Sequence, residues 1–158
     1  MSKIKQGIKT RKRKGWPAGV SDTLLQDLWR AVVRREWEGK CAFEGTYYRD
    51  EPGQGYYCDG ALECHHIVKR SRLHLKYAPS NGILLCQLHH NLSGLRVWRE
   101  KIEDKVGADK MEYLDAMEKM LLPEYLSMHG QTRGEFLIYQ KGYLRALLDG
   151  AEGGAWKQ

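Results

Sequence analysis

The stretch from Leu62 to His90, LECHHIVKRSRLHLKYAPSNGILLCQLHH, holds five of the six histidines of a 158-residue chain. They fall as two adjacent pairs, His65–His66 and His89–His90, with His74 between them and Asn81 ahead of the second pair. Lys69, Arg70, Arg72 and Lys76 crowd the same segment. Neutral imidazole is a good ligand for borderline divalent ions, so clustered histidines in a cationic segment point to a metal set against phosphate.

Around this segment the pattern is that of an α+β chain. A first helix is expected from about Asp22 to Glu38, with Ser21 as N-cap, a core stripe of Leu25, Leu28, Trp29 and Val32, and Gly39 to end it. From Cys41 to Asp59 the glycines, a proline and aromatic pairs suggest two short strands joined by a long loop, with the tyrosines as hairpin packing. A strand over about Leu62 to Val68 carries the first histidine pair. A basic loop through Pro79, Ser80 and Asn81 leads to a second strand, Ile83 to Cys86, after which His89 and His90 open a helix or turn. Downstream, Leu95, Trp98, Ile102 and Val106 mark a helical face ending at Gly107. Met111, Leu114, Met117 and Leu121 mark another, stopped by Pro123. Thr132 and Glu135 have the spacing of a capping box and start a last helix through Phe136, Tyr143, Leu144 and Leu147, closed by Gly150.

Charge is distributed unevenly. Residues 1–15 carry seven basic side chains and no acid, Arg11, Lys12, Arg13 and Lys14 among them, whereas the whole chain is only +6. Residues 1–16 are therefore expected to form a disordered basic arm, 17–150 a single domain and 151–158 a flexible tail. An apolar content of 42% rules out wholesale disorder, and no run approaches the roughly 20 apolar residues that span a bilayer. The amino terminus lacks the apolar stretch of a secretory signal, which points to the cytoplasm and makes metal ligation or burial the better reading of Cys41, Cys58, Cys64 and Cys86 than disulfides.

Mechanically, neighbours on a strand point to opposite faces, so His65 and His66 are expected to differ in role. One can hold a metal while the other faces the substrate as a base, with His90 completing the clamp on the metal. Arg70 and Arg72 supply charge for the scissile or flanking phosphate, and Lys69 and Lys76 add phosphate contacts. His74 and His129 are read as ordinary surface or core histidines.

The order His65–His66, Asn81, His90 resembles the HNH endonucleases, whose core is a β-hairpin followed by a helix gripping one divalent ion, the ββα-metal motif. The resemblance is densest from Cys41 to about Gly94. It extends to phage-encoded HNH proteins, including recombination endonucleases of the Rap/NinG type. It implies an HNH core over about 41–94, one helix before it and a helical extension over 95–150. It also implies a DNA endonuclease with His65 and His90 as ligands of a catalytic Mg²⁺ or Mn²⁺, His66 as general base and Asn81 as the residue that ties the loop. The zone where relatives carry a further ligand reads Asn91, Leu92 and Ser93, so water or Asn91 would substitute.

Relatives also carry a structural zinc site, for which this chain retains Cys41, Cys86 and His89, with Cys58 or Cys64 for the fourth corner. On this basis the partner is DNA, the protein is a monomer or homodimer, and a phage-encoded chain would act in the bacterial host cytoplasm. The rival reading is a zinc-stapled DNA-binding module without cleavage, favoured by the missing third ligand.

Overall fold

Ser21 opens the first helix as a side-chain cap, its hydroxyl oxygen accepting the N–H of Leu24 at 3.1 Å. The helix, α1, spans Asp22–Glu36 and buries Leu25, Trp29, Val32 and Val33, with Leu28 half-buried beside them. The protein is represented by a computed structural model that describes residues 15–45, 48–51 and 54–150. Arg11, Lys12, Arg13 and Lys14 and the expected tail over 151–158 lie outside the described residues. Trp16, expected at the end of the arm, packs instead against the first core.

Two antiparallel hairpins follow. The first pairs β1 (Tyr48–Glu51) with β2 (Gln54–Tyr56), and only positions 52 and 53 separate the strands, where a long loop was expected. Tyr57, beyond the second strand, is exposed. The second hairpin pairs β3 (Leu62–His66) with β4 (Gly82–Cys86), His66 opposite Gly82 and Leu62 opposite Cys86. Between these strands the chain forms a single turn of helix, α2 (Leu73–Lys76), and a 3₁₀ turn at Pro79–Asn81. The helix α3 (Gln87–Leu92) leaves directly from β4 and carries both His89 and His90.

Strand β4 is buried along its whole length, and its alternating side chains divide the interior. Leu84 joins Trp29, Val33, Phe136, Leu137 and Leu144 in a core between α1 and the last helix. Ile83 and Leu85 face the other way, with Phe43, Trp98 and Ile102. Gly82 is required where β4 crosses α1: a Cβ there would lie 2.2 Å from Val33 Cγ2 and 3.2 Å from the Trp29 ring.

The rest is helical: α4 (Arg96–Val106), α5 (Ala108–Lys119), α6 (Leu122–Met128) and α7 (Arg133–Leu148). Pro123 does not stop the chain of helices; it sits in the first turn of α6, where its missing N–H costs nothing. Leu95 and Leu121, expected on buried faces, are exposed residues that precede α4 and α6. Thr132 and Glu135 form the expected reciprocal capping box of α7. Among the described residues, no helix is long and apolar enough to cross a membrane. The chain is thus α+β and mostly helical around the β3–β4 hairpin.

Candidate functional site

Strand parity decides where the histidines of β3 go. Cys64 and His66 face α1, whereas Glu63 and His65 face α3. On the α3 side, the rings of His65 and His90 meet edge to face with centroids 5.1 Å apart. Glu63 Oε2 lies 3.3 Å from His90 Nδ1. Burial, and then the neighbouring His90 and His66, hold the His65 imidazole down to about 4, so it is neutral and its lone pair is available at physiological pH. Glu63 escaped the sequence reading, although its position two residues before His65 on a strand was the signal for a shared face.

On the α1 side, His66 stacks on the indole of Trp29, with centroids 4.1 Å apart and planes within 10°. Its Nε2 is 3.0 Å from the carbonyl oxygen of Lys76. That bond requires the hydrogen on Nε2 and leaves Nδ1 as the lone-pair nitrogen. Burial lowers the His66 pKa, and Arg70, Lys76 and Arg30 lower it further, while the bond to Lys76 works in the opposite direction. Trp29 is itself tied by a bond from its Nε1 to the carbonyl oxygen of Ala78. The sequence placed Trp29 in the core but gave no sign that it would floor a histidine.

Asn81 is fully buried and binds the backbone of the loop it closes. Its Oδ1 accepts the N–H of Val68 at 2.8 Å, and its Nδ2 donates to the carbonyls of Val68 and Leu75. The loop so held carries Lys69 and Arg70, both exposed. Arg72 donates from Nε to the carbonyl of Glu118, and Lys76 pairs with Asp22, so part of the charge assigned to phosphate is already engaged within the protein. Asn91 is exposed, and Ser93 turns its hydroxyl onto the His90 carbonyl.

The four cysteines separate into one and three. Cys64 points toward α1 and contacts the carbonyl of Arg30, whereas Cys41, Cys58 and Cys86 converge on His89. Their sulfurs lie 3.4, 3.7 and 3.1 Å from His89 Nδ1, and the four ligand atoms are all within 4.8 Å of one another. Tetrahedral zinc with bonds near 2.3 Å to sulfur and 2.0–2.1 Å to nitrogen puts neighbouring ligand atoms roughly 3.5–3.8 Å apart. The Cys41, Cys58, Cys86 and His89 cluster could therefore hold a metal ion such as zinc. Burial and then the adjacent sulfurs push Cys58 up to about 12, because thiolates this close repel when no cation lies between them.

No family model, curated protein or solved structure matches the chain. The functional reading therefore rests on the site itself. Backbone bonds from Ala42 to Leu84 and from Leu88 to Asp59 bring the cysteine segments to the hairpin. Phe43 and Trp98 then wall the cluster from the apolar side.

Proposed function

We propose that the protein is a metal-dependent DNA endonuclease of the HNH kind, stapled by a structural zinc ion. The observation that carries the reading is the convergence of His65 and His90 beside Glu63, with His66 fixed on the opposite face of the same strand end. The donor set, two imidazoles and a carboxylate, suits manganese and other borderline ions, and suits magnesium where water completes the shell. Glu63 supports the reading as a candidate third ligand or, through its contact with His90 Nδ1, as the group that leaves Nε2 free for the ion.

A divalent ion bound there would act as a Lewis acid on a phosphate oxygen and on the departing alkoxide. His66 takes the proton of the attacking water at Nδ1, the nitrogen left free by its bond to Lys76. Stacking on Trp29 and the backbone bond fix the imidazole before substrate arrives, which removes reorganisation from the reaction step. Asn81 holds the loop that presents Lys76 to His66, and Arg70 pairs with the phosphate flanking the scissile bond. Lys69 and the basic arm add sequence-independent attraction to DNA.

The test is supercoiled plasmid in magnesium or manganese. The wild-type protein nicks it, chelator stops the reaction, and His66→Ala removes cleavage while leaving DNA affinity within about twofold. A wild-type protein that binds DNA but leaves it intact with every divalent ion would sink the nuclease reading and favour the zinc-stapled binding module.

A further inference from the structure

Behind the loop that presents Lys76 to His66 lies a cavity of about 110 Å³, between that loop and α5, α6 and α7. Three of its lining side chains are more than nine-tenths buried: His74 at 3% exposure, Ser80 at 2% and Gln140 at 7%. Each has a polar atom with no hydrogen-bond partner in the structure, namely His74 Nδ1, Ser80 Oγ and Gln140 Oε1. A buried polar atom left unpaired costs on the order of 1–3 kcal/mol, so three around one space call for a partner from outside the chain, a ligand or ordered water.

The chemistry of the three atoms is readable. His74 Nε2 is 2.8 Å from the Met117 carbonyl, so it carries the hydrogen and Nδ1 presents a lone pair. Burial keeps that imidazole below its ordinary pKa and therefore neutral. Gln140 Oε1 is a second acceptor, and the Ser80 hydroxyl can donate or accept. The walls are flat and aromatic: Tyr125 stacks on His74 with centroids 4.7 Å apart, and Tyr139 lies parallel to Tyr143. The exposed Tyr113 and Tyr139 stand at the mouth.

We propose that this cavity is a recognition pocket for one planar ring bearing an amino group, met in nucleic acid as an unpaired cytosine. Two acceptors select an N–H donor, and cytosine offers its exocyclic amine where thymine offers an acceptor oxygen. The volume leaves room for no more than one ring, being below the roughly 150 Å³ of a cavity that takes up benzene. An extruded or unpaired base stacks on aromatic side chains; the ring of Tyr125 is already packed against His74 and His129, which leaves Tyr139 and Tyr143 for that contact. Ser80 directly precedes Asn81, and His74 shares its short helix with Lys76, so the ring would sit beside the loop that carries Arg70. The nucleic-acid source of the ring rests on the nuclease reading; the pocket's selectivity for an amino-bearing ring does not.

The experiment is an NMR titration of the full chain with cytidine and with thymidine, read at the His74 imidazole. Cytidine is expected to shift that resonance saturably and to bind at least tenfold more tightly than thymidine. Ser80→Ala and Gln140→Leu, each removing one partner, should each weaken cytidine roughly tenfold, with the melting temperature unchanged or raised because an unpaired buried polar atom is lost. A parallel arm measures binding to a duplex with one unpaired cytosine, the same duplex with an unpaired thymine, and a fully paired one. Preference for the unpaired cytosine supports the proposal; three equal affinities overturn its nucleic-acid half. Equal or absent binding of the two nucleosides, or a crystal structure in which ordered waters alone satisfy the three atoms after a cytidine soak, overturns the pocket itself. None of these readouts involves cleavage, so an inactive protein that still takes up cytidine would remove the nuclease reading and leave the pocket standing.

Discussion

At the scale of single residues, the consequential contacts are made by side chains that serve the backbone. Asn81 makes three buried bonds with loop backbone atoms, and Asn81→Ala leaves one N–H and two carbonyls without them. The expected cost is about 3 kcal/mol or more, measured by urea unfolding. Zinc content should stay unchanged, since Asn81 does not belong to the cysteine cluster. A second expectation concerns that cluster. Cys41→Ser should lower bound zinc and thermal stability together, because metal affinity is folding free energy in such a site. Loss of neither would reduce the thiols to packing. How far these residues were legible follows from parity. The spacing of His65, His66, Asn81 and His90 was readable, as was the convergence of Cys41, Cys86 and His89. Cys58 against Cys64 stayed open because it depends on which face of β3 looks toward α1, a tertiary fact. The partnership of Trp29 with His66 spans 37 positions of chain and leaves no periodic trace.

At the scale of elements, β4 and α1 approach so closely that only glycine fits at their crossing. Gly82→Ala should destabilise the protein by about 1–3 kcal/mol through overpacking against Val33 and Trp29. Because Trp29 also stacks on His66, the same change should lower any cleavage activity more than it lowers DNA affinity. Denaturation and plasmid nicking of the one variant check both halves. Helix ends were the most readable elements, since capping is local chemistry: Ser21 and the Thr132–Glu135 box are found as expected. Pro123 misled because the same ring that forbids a helix interior favours a first turn, and the sequence alone does not say which side of it the helix lies on.

At the scale of the whole molecule, charge links the helical body to the loop. Burial opposes ionisation of Asp22, but hydrogen bonds from Lys76 and Tyr77 outweigh it and hold the carboxyl below its ordinary pKa. A carboxyl depressed in the folded state contributes stability that is present above its unfolded pKa and is lost as pH falls through the folded value. Stability should therefore decline below about pH 4, and Asp22→Asn should flatten that part of the curve, as followed by thermal melting across pH. The arm makes a separate contribution. Deleting residues 1–15, with their seven cations, should reduce the slope of log affinity for DNA against log salt. An unchanged slope would leave the arm a role in solubility alone.

One six-residue helix, α3, carries His89 toward three sulfurs and His90 toward Glu63 and His65. The two imidazoles leave neighbouring positions of one short helix, so a shift of that helix displaces both. Under the proposed nuclease reading, an oxidant that consumes the thiols, or loss of a metal held by them, would loosen α3 and with it His90, without touching any group assigned to phosphate.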